Sequence, residues 1–300
     1  MSEATREERF YASYERISNR MMPVVIIVFL LATGFLAYQY TTTGELFTRD
    51  ISLAGGVSLS FQTTESVDPD ALEMDVMERL HASSSVRIVG AGAEREVIVE
   101  STAQDTEKIN ALIDHLAATY NVPEGEIAQS FIGETLGAAF YRETIIALII
   151  AFAFMAVVVM IIFRKALPAA YIIFAAAANI IETVFIVNLL GIPISTGGLA
   201  AFLMLLGYSV DTDILLTTKV LRSRAVALGS RVLAAFRTGM TMSLTSLAAV
   251  TVAYLITNSP LIEEIMLIIG IGLIFDMFNT WLFNAPILTR YVRGLEARGR

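Results

Sequence analysis

Six long apolar segments dominate this chain of 300 residues. A helix that spans a membrane needs about 20 consecutive, mostly apolar residues, and a soluble protein of this length seldom carries several of them. A hydrophobic fraction of 55% and a mean hydropathy of +0.66 agree with membrane insertion. The sequence therefore predicts a membrane bundle of six helical spans rather than the buried helices of a soluble fold. The predicted spans are residues 21–40, 145–163, 167–190, 196–216, 238–257 and 262–288.

The Lys and Arg residues of the short flanks lie on one side of these spans. They occur before the first span, between the second and third, after the fourth and at the end of the chain, whereas the turns 191–195 and 258–261 contain none. Cytoplasmic loops are enriched in Lys and Arg. We therefore expect a multi-pass protein of the cell membrane with both termini in the cytoplasm and an uncleaved first span.

This orientation divides the chain into five parts. The segment between the first two spans lies outside and carries 17 Asp and Glu against 6 Lys and Arg. So acidic a surface repels nucleic acid, which we do not expect as a partner, and it suits high external salt and hence a halophilic host. The expected parts are a cytoplasmic segment, 1–20, the first span, 21–40, an extracytoplasmic domain, 41–142, a five-span bundle, 143–290, and a cytoplasmic tail, 291–300.

The outside segment alternates between strand and helix patterns. Asp68 stands as an N-cap before Pro69, and apolar residues at helical spacing follow. The resulting order β-α-β-β-α-β predicts a ferredoxin-like α+β domain. The predicted strands are 57–62, 86–89, 96–100 and 127–132, the predicted helices are 69–80 and 105–120, and a turn is expected at 90–92.

Four carboxylates lie inside the apolar spans: Glu182, Asp211, Asp213 and Asp276. Each ionisable group in hydrocarbon costs at least about 2.5–3.5 kcal/mol on insertion scales, and the common uses of such groups are proton relays and ion pathways. The alternative is a polar clamp that only holds helices together. Asp211 and Asp213 are two residues apart and point to different faces of a regular helix, so one of them faces the bundle interior, and we expect that residue to be Asp211.

Other polar residues accompany these carboxylates. Asn179 lies three residues before Glu182 and shares its helix face, and Asn279 has the same relation to Asp276. Gly207 stands next to buried polar groups, where it would permit a close helix approach or a local break. The predicted relay set is Asp211, Asp213, Glu182, Asp276, Asn179 and Arg237.

Several kinds of chemistry are excluded by missing residues. The chain contains no Cys, which excludes a disulfide, a thiolate nucleophile and a zinc–thiolate site. No G-x-x-x-x-G-K-[ST] stretch is present, so a Walker-type ATP site is excluded as well. We expect a protein without a cofactor and without enzymatic activity.

The run at positions 207–211, followed by a basic span end, resembles the fourth-span signature of the SecF family and of its relative SecD. The segment 50–53 is expected to begin a strand, and the Gly-Gly pair after it is similar to the motif that follows the first span in that family. The Arg-Thr pair leading a Ser/Thr-rich fifth span also fits. The layout of one span, an outside domain and five further spans extends the resemblance over essentially the whole chain. The residues that carry it are Gly55, Gly56, Gly207, Tyr208, Ser209, Val210, Asp211, Arg237 and Thr238.

The resemblance implies an RND-type half-transporter in the cell membrane. Such a subunit pairs with a SecD-like subunit and, through the proton gradient, helps preproteins emerge from the Sec translocon channel, with membrane lipids around it. Thr212 stands where bacterial SecF has a second Asp, Asn179 stands where it often has a third-span Asp, with Glu182 as its substitute, and Ser52 departs from the usual Asp of the Gly-Gly motif. These departures are typical of an archaeal-type subunit.

Three other interpretations compete with this one. The chain could be half of an RND-type exporter of lipids or small molecules, with the same carboxylates. It could be a structural subunit whose SecD partner carries all the proton chemistry. An intramembrane aspartyl protease requires a Gly-Asp dipeptide, which is absent from the sequence. The coupling ion, proton or sodium, does not follow from the sequence.

Overall fold

The computed structural model describes residues 3–89, 95–222, 226–257 and 259–298. The turn predicted at 90–92 lies outside these residues. Long helices form the bulk of the described chain, and one four-stranded sheet lies in the segment between the first two long helices. The predicted alternation of helical spans and a mixed α/β segment is therefore present.

The predicted spans coincide with long helices, and three of these helices begin well before their apolar segment. The first helix begins 18 residues before the predicted span, the second 11 residues and the fifth 10 residues before it. The predicted span 262–288 is helical throughout, but a π-helical turn interrupts its regular α-helical hydrogen bonding. The elements are α1, Glu3–Thr43, α5, Glu134–Phe163, α6, Ala166–Leu189, α7, Thr196–Arg222, α8, Leu228–Ile256, α9, Pro260–Phe278, the π-helix Asn279–Asn284, and α10, Ala285–Ala297.

Five of these helices, α1, α5, α6, α7 and α8, are long and apolar enough to cross a membrane. Helix α9 is 19 residues long and as apolar overall as these helices, but it carries three acidic residues, Glu263, Glu264 and Asp276. It packs inside the bundle against α6, α7 and α8. Burial of α9 among the other helices shields Glu264 and Asp276 from lipid.

Between α1 and α5 the chain forms a mixed domain. Its elements are a short helix α2, Ile51–Ala54, strand β1, Gly56–Thr63, helix α3, Pro69–Leu80, strands β2, Ser84–Val89, and β3, Arg95–Ser101, helix α4, Thr106–Thr119, and strand β4, Ala128–Ile132. The sheet order is β2-β3-β1-β4 and every pairing is antiparallel, with Leu59 of β1 opposite Val99 of β3. The segment 50–53, predicted as the beginning of a strand, is mostly the helix α2.

The helices of this domain cover one face of its sheet. Asp68 Oδ1 accepts hydrogen bonds from the backbone N–H groups of Asp70 and Ala71, which is the predicted N-cap, and the predicted helix 69–80 is confirmed. Apolar residues of α3 and α4 meet alternate residues of the strands in one core. The largest fully buried side chains of that core are Phe61, Leu59, Ile109, Leu112 and Leu116.

Candidate functional site

Three carboxylates are buried in the helix bundle on three different helices. Glu182 on α6, Asp213 on α7 and Asp276 on α9 have side chains with at most 1% of their surface exposed. Helix α9 packs against both α6 and α7, so it brings the three groups to one region of the bundle. Two predicted members of the relay set, Asp211 and Arg237, are instead exposed.

Asp213 is held by the π-helix. Its Oδ1 accepts hydrogen bonds from Asn284 Nδ2 at 2.7 Å and from Thr280 Oγ1 at 3.1 Å. Its other oxygen, Oδ2, is buried and has no hydrogen-bond partner among the described residues. One side of the carboxylate is therefore fixed, and the other is left for a proton, a water molecule or a cation.

Glu182 has a similar half-satisfied environment. Asn279 Nδ2 donates a hydrogen bond of 2.7 Å to its Oε2. The oxygen Oε1 is buried without a partner in the described part of the chain, and so are both side-chain amide atoms of Asn179, one helical turn away. The predicted pairing of Glu182 with Asn179 on one face of α6 is present, but the hydrogen bond that orients Glu182 comes from the π-helix.

Asp276 is surrounded by hydroxyl groups and by a like charge. The hydroxyls of Ser209, Thr212 and Thr280 and the carboxylate of Asp213 lie around it. Neither of its carboxylate oxygens makes a hydrogen bond of good geometry within the described ranges. Asp276 and Asp213 therefore form a pair of neighbouring acids that share Thr280.

The π-helix Asn279–Asn284 positions the side chains that bind two of these acids. In a π-helix the carbonyl of residue i accepts a hydrogen bond from the N–H of residue i+5, as the carbonyl of Thr280 does here from the N–H of Ala285. The side chains of Asn279, Thr280 and Asn284 are all buried in the bundle. Pro286 follows directly and lacks the N–H that an α-helix would donate to Leu282. The sequence prediction missed this element, although Pro286 and the polar residues five apart were a readable signal for it.

The prediction that Asp211 faces the bundle interior is wrong. Asp211 is exposed on the outer face of α7, together with Gly207 and Tyr208, whereas Asp213 is fully buried. Residues two positions apart on an α-helix point about 200° away from each other, so the sequence predicts that the two acids diverge but does not determine which one points inward. Ser209, also in the motif, lies on the buried face beside Asp276.

Gly207 was expected to permit a close helix approach or a local break, and within this chain it does neither. A Cβ added at Gly207 would contact nothing within 4 Å, and α7 continues through this position without a break. Arg237 lies on an exposed side of α8, nine residues after the helix begins, rather than at its start. The close approach on α8 occurs instead at Gly239, against the ring of Trp281.

The glycine pair joins the mixed domain to the bundle. Gly55 has a φ of 81°, and a Cβ there would lie 2.6 Å from Cα of Glu134, at the start of α5. Gly56 has a φ of 145°, and its Cβ would overlap the carbonyl oxygen of Ser101 in β3. Both positions therefore require glycine, since other residues are strained at positive φ and would collide with backbone.

A second contact ties the same region to the turn between α6 and α7. The N–H of Asp50 donates to the carbonyl of Ile194 at 3.0 Å, and the N–H of Ile194 donates to the carbonyl of Thr48 at 2.8 Å. Glu264, near the start of α9, accepts a hydrogen bond of 2.8 Å from the N–H of Ser195. The mixed domain is thus connected to α5, α7 and α9 at one place.

Charged residues surround this connection. Arg87 Nη2 of β2 contacts Glu100 Oε2 of β3 at 2.5 Å, and the carboxylates of Asp50 and Glu264 also act on Arg87. Burial and then the negative charge of Asp50 raise the pKa of Glu100 to about 7, although Arg87 opposes this shift. No cluster of three or more His, Asp or Glu side chains suited to a metal ion is found among the described residues.

A helical membrane bundle that carries one α+β domain between its first two long helices and buried acids on three others defines a multi-span membrane protein of the transporter type. The family described as "Protein export membrane protein SecD/SecF, C-terminal" matches residues 113–294. The chain belongs to this SecD/SecF family.

Whole-chain relatives agree with that assignment. The chain is 35% identical over 278 residues to protein-export membrane protein SecF of Methanolacinia petrolearia, which covers 92% of this chain and 94% of the relative. It is 29% identical over 293 residues to SecF of Pyrococcus furiosus, covering 97% of each, and 31% identical to SecF of Haloferax volcanii, covering 93% and 94%.

The fold is similar to that of the translocon-associated membrane protein SecDF from Thermus. The TM-score is 0.69 at 18% sequence identity, and the match covers 95% of this chain. This chain spans only 38% of the length of that SecDF chain. The likeness therefore concerns one part of a longer protein.

Proposed function

We propose that this chain is a SecF-like subunit that pairs with a SecD-like subunit and uses an ion gradient to assist protein export. The pairing is supported by the match to 38% of the SecDF chain, since a second subunit would supply the rest. The partners are a SecD-like subunit, the Sec translocon channel, preprotein substrates and the surrounding lipids. The similarity to curated SecF proteins over more than 90% of the chain supports this role.

The arrangement that we propose in the membrane has six spans, α9 with the π-helix being the sixth, and a ferredoxin-like domain on the outside, as in an RND-type half-transporter. Both termini are cytoplasmic in this arrangement. It is supported by the all-antiparallel sheet order β2-β3-β1-β4 and by the placement of Lys and Arg. In this arrangement the chain is divided into the five parts predicted from the sequence, which are 1–20, 21–40, 41–142, 143–290 and 291–300.

The observation that carries the ion-coupling proposal is the set of unpartnered buried oxygens. A clamp that only joins helices would satisfy both oxygens of each carboxylate. Here one oxygen of Asp213, one of Glu182 and both of Asp276 lack hydrogen-bond partners among the described residues. A buried polar atom without a partner costs about 1–3 kcal/mol, and more if charged, so a proton, water or cation is needed at each of these atoms.

We propose that Asp213, Asp276 and Glu182 bind the coupling ion in turn, that Asn279, Thr280 and Asn284 hold Glu182 and Asp213 in place, and that Asn179, whose amide atoms are unpartnered among the described residues, contacts the ion beside Glu182. A proton that crosses the membrane yields about 2.3 kcal/mol per 100 mV. This amount is comparable with typical couplings of about 1–3 kcal/mol between sites in a protein. Each ion could therefore shift the bundle between two packing arrangements.

The exposed face of α7 is the proposed contact surface for the SecD-like subunit. Asp211 is exposed on this helix beside Gly207 and Tyr208. An ionisable group within a membrane span is unfavourable against lipid and calls for a polar partner. The absence of a side chain at Gly207 leaves room there for another helix to approach closely. Arg237, exposed on α8, stays a prediction as a relay residue.

Translocation into reconstituted vesicles tests this proposal. Vesicles would contain the translocon and the SecD-like subunit with or without this chain, and either a proton or a sodium gradient would be imposed. We expect this chain to increase the export rate only when a gradient is present, and the effective gradient identifies the ion. Equal stimulation with and without any gradient would instead support a structural subunit.

A further inference from the structure

We propose that Tyr14, in the part of α1 before the first predicted span, is a positioning residue for the buried acids. Its hydroxyl group stabilises the π-helical turn that binds Asp213, so it acts through the backbone of Trp281 and not on an acid directly. This inference deepens the proposed function and rests on its ion coupling.

A hydrogen bond joins Tyr14 to the middle of the π-helix. The hydroxyl of Tyr14 donates to the backbone carbonyl of Trp281 at 2.7 Å. The ring centroid of Tyr14 lies 5.5 Å from that of Phe236, which in turn lies 5.0 Å from that of Trp281. Trp281 is only 2% exposed. The aromatic contacts therefore hold the hydroxyl against a carbonyl group that is buried in the bundle.

This carbonyl is the one that Pro286 leaves without a π-helical donor. In a π-helix the carbonyl of Trp281 would accept a hydrogen bond from the N–H of residue 286, and proline has no N–H. The π-helical bond one position earlier, from the N–H of Ala285 to the carbonyl of Thr280, is present. The hydroxyl of Tyr14 thus takes the place of the donor that the backbone lacks.

The same hydroxyl favours the π-helical turn over an α-helical one. In an α-helical turn the N–H of Ala285 would bond to the carbonyl of Trp281 instead of to that of Thr280, so the carbonyl would not depend on Tyr14. In the π-helical turn, removal of the hydroxyl would leave a buried acceptor without its donor, which is costly. Loss of the hydroxyl therefore raises the free energy of the π-helical turn and not that of the α-helical one.

The turn in question directs the side chains that bind Asp213. Asn284 and Thr280 donate to Oδ1 of Asp213 at 2.7 Å and 3.1 Å. A change to an α-helical turn would rotate Asn284 relative to Thr280 and draw its amide away from the carboxylate. Tyr14 is therefore linked to the relay through two backbone carbonyls and these two donors.

Polar contacts with α10 hold Tyr14 in place. Arg293 Nη2 donates to Glu15 Oε2 at 2.8 Å, and Arg290 Nη2 donates to Asn19 Oδ1 at 2.7 Å. Both contacts join the start of α1 to the helix that continues the π-helix. The start of α1 and the end of the bundle therefore behave as one unit around the turn.

The fluorescence of Trp281 tests the contact without any measurement of export. Trp281 is the only tryptophan of the chain, so its emission reports on the turn itself. Tyr14→Phe keeps the aromatic ring and removes only the hydroxyl. In lipid nanodiscs we expect the ratio of π-helical to α-helical turns to fall about 5- to 100-fold, the effect of leaving a buried carbonyl without a donor, and the emission maximum of Trp281 to shift.

A double variant shows whether the effect passes through the π-helix. In Pro286→Ala the backbone has its own N–H at position 286, so the hydroxyl becomes dispensable. Tyr14→Phe should therefore shift the emission in the natural sequence but should add nothing in the Pro286→Ala background. Tyr11→Phe is the matched control, because the Tyr11 hydroxyl is contacted by Arg293 Nη2 of α10 at 3.3 Å, and we expect it to leave the emission unchanged.

Vesicle translocation supplies the functional measurement, with each rate divided by the amount of chain in the membrane. We expect Tyr14→Phe to lower gradient-dependent export several-fold, with no further loss when it is added to Pro286→Ala. Tyr11→Phe should export at the rate of the unchanged chain. A role of Tyr14 in stability alone would lower the amount of chain and leave the corrected rate unaltered.

Three results would overturn the proposal: an unchanged emission in Tyr14→Phe, an equal shift in both backgrounds, or full gradient-dependent export by Tyr14→Phe. Failure of the underlying ion coupling gives a different pattern. In that case export by the unchanged chain is independent of any gradient, while the emission still shifts in the natural sequence and not in Pro286→Ala.

Discussion

At the scale of single residues, the two aspartates of α7 have different environments although they are only two positions apart. Asp213 is enclosed by Thr280 and Asn284 of the π-helix, whereas Asp211 is exposed. The sequence was sufficient to identify the acids inside the spans. It could not assign their orientation, because that depends on which face of α7 packs against α9.

Replacing Asp213 with Asn should abolish gradient-dependent export while the amount of protein in the membrane stays near normal. Asn keeps an oxygen for the bonds from Thr280 and Asn284, and its amide takes the place of the unpartnered Oδ2, but it cannot carry a proton. Vesicle translocation under an imposed gradient is the measurement.

The matched control for this substitution is Asp211→Asn on the exposed face of the same helix. We expect a smaller loss from it, accompanied by weaker co-purification of the SecD-like subunit. Full export by Asp213→Asn together with none by Asp211→Asn would show that the exposed acid is the relay group.

The glycine pair provides a second test at this scale. Gly55→Ala should destabilise the chain by at least about 2 kcal/mol, because a side chain at φ 81° is strained and its Cβ would lie 2.6 Å from Cα of Glu134. The thermal midpoint in detergent measures the change. Gly125→Ala, whose Cβ would contact nothing within 4 Å, should shift the midpoint little, and equal shifts in the two variants would contradict the proposed packing.

At the scale of elements, sequence patterns predicted the mixed domain better than the end of the bundle. Asp68 and Pro69 mark the start of α3, and the observed bounds Pro69–Leu80 are those predicted. Hydropathy reports the length of an apolar stretch but not the number of residues per helical turn. The sequence therefore predicted 262–288 as one span without its π-helical turn.

The π-helix should depend on Pro286. In Pro286→Ala the backbone regains an N–H that can bond to the carbonyl of Leu282, so a regular α-helix becomes possible. We expect Asn284 to turn away from Asp213 and export to fall several-fold, without a loss of thermal stability. Pro168→Ala, in the first turn of α6, is the control, and unchanged export in Pro286→Ala would argue against a role for the π-helix.

The buried carboxyl group of Glu100 predicts a pH dependence of stability. The pKa of Glu100 is raised from 4.5 to about 7 by burial and by Asp50, so the folded chain binds this proton more tightly than the unfolded chain. The stabilisation is complete below about pH 4.5 and is lost as the pH rises through 7, an effect on the order of 3 kcal/mol.

Thermal unfolding of the full chain at several pH values from about 5 to about 8 measures this effect, because that range brackets the raised pKa of Glu100. Glu100→Gln should flatten the decline in the midpoint over this range, whereas Asp114→Asn, at an exposed position of α4, should not. A slope that is the same in both variants would assign the pH dependence to other groups.

At the scale of the whole molecule, orientation in the membrane can be tested because the chain contains no Cys. Gln104→Cys and Ala227→Cys place single thiols at exposed positions on the two predicted sides. An impermeant thiol reagent added to intact cells should label position 104, and it should label position 227 only after the membrane is opened. The opposite pattern would reverse the proposed topology.

The hydrogen bonds between residues 48–50 and Ile194 have a mechanical consequence. Helix α7 has 27 residues and is therefore about 40 Å long, and Asp213 lies 17 residues from its N-terminal end, a distance of about 25 Å. Viewed as a stiff rod pivoting near Asp213, α7 would turn a tilt of about 10° into a displacement of about 4 Å at Thr196. Because Ile194 is hydrogen-bonded to Thr48 and Asp50, the base of the mixed domain would move by a similar amount, so a change of one charge in the bundle would be converted into a displacement of that domain.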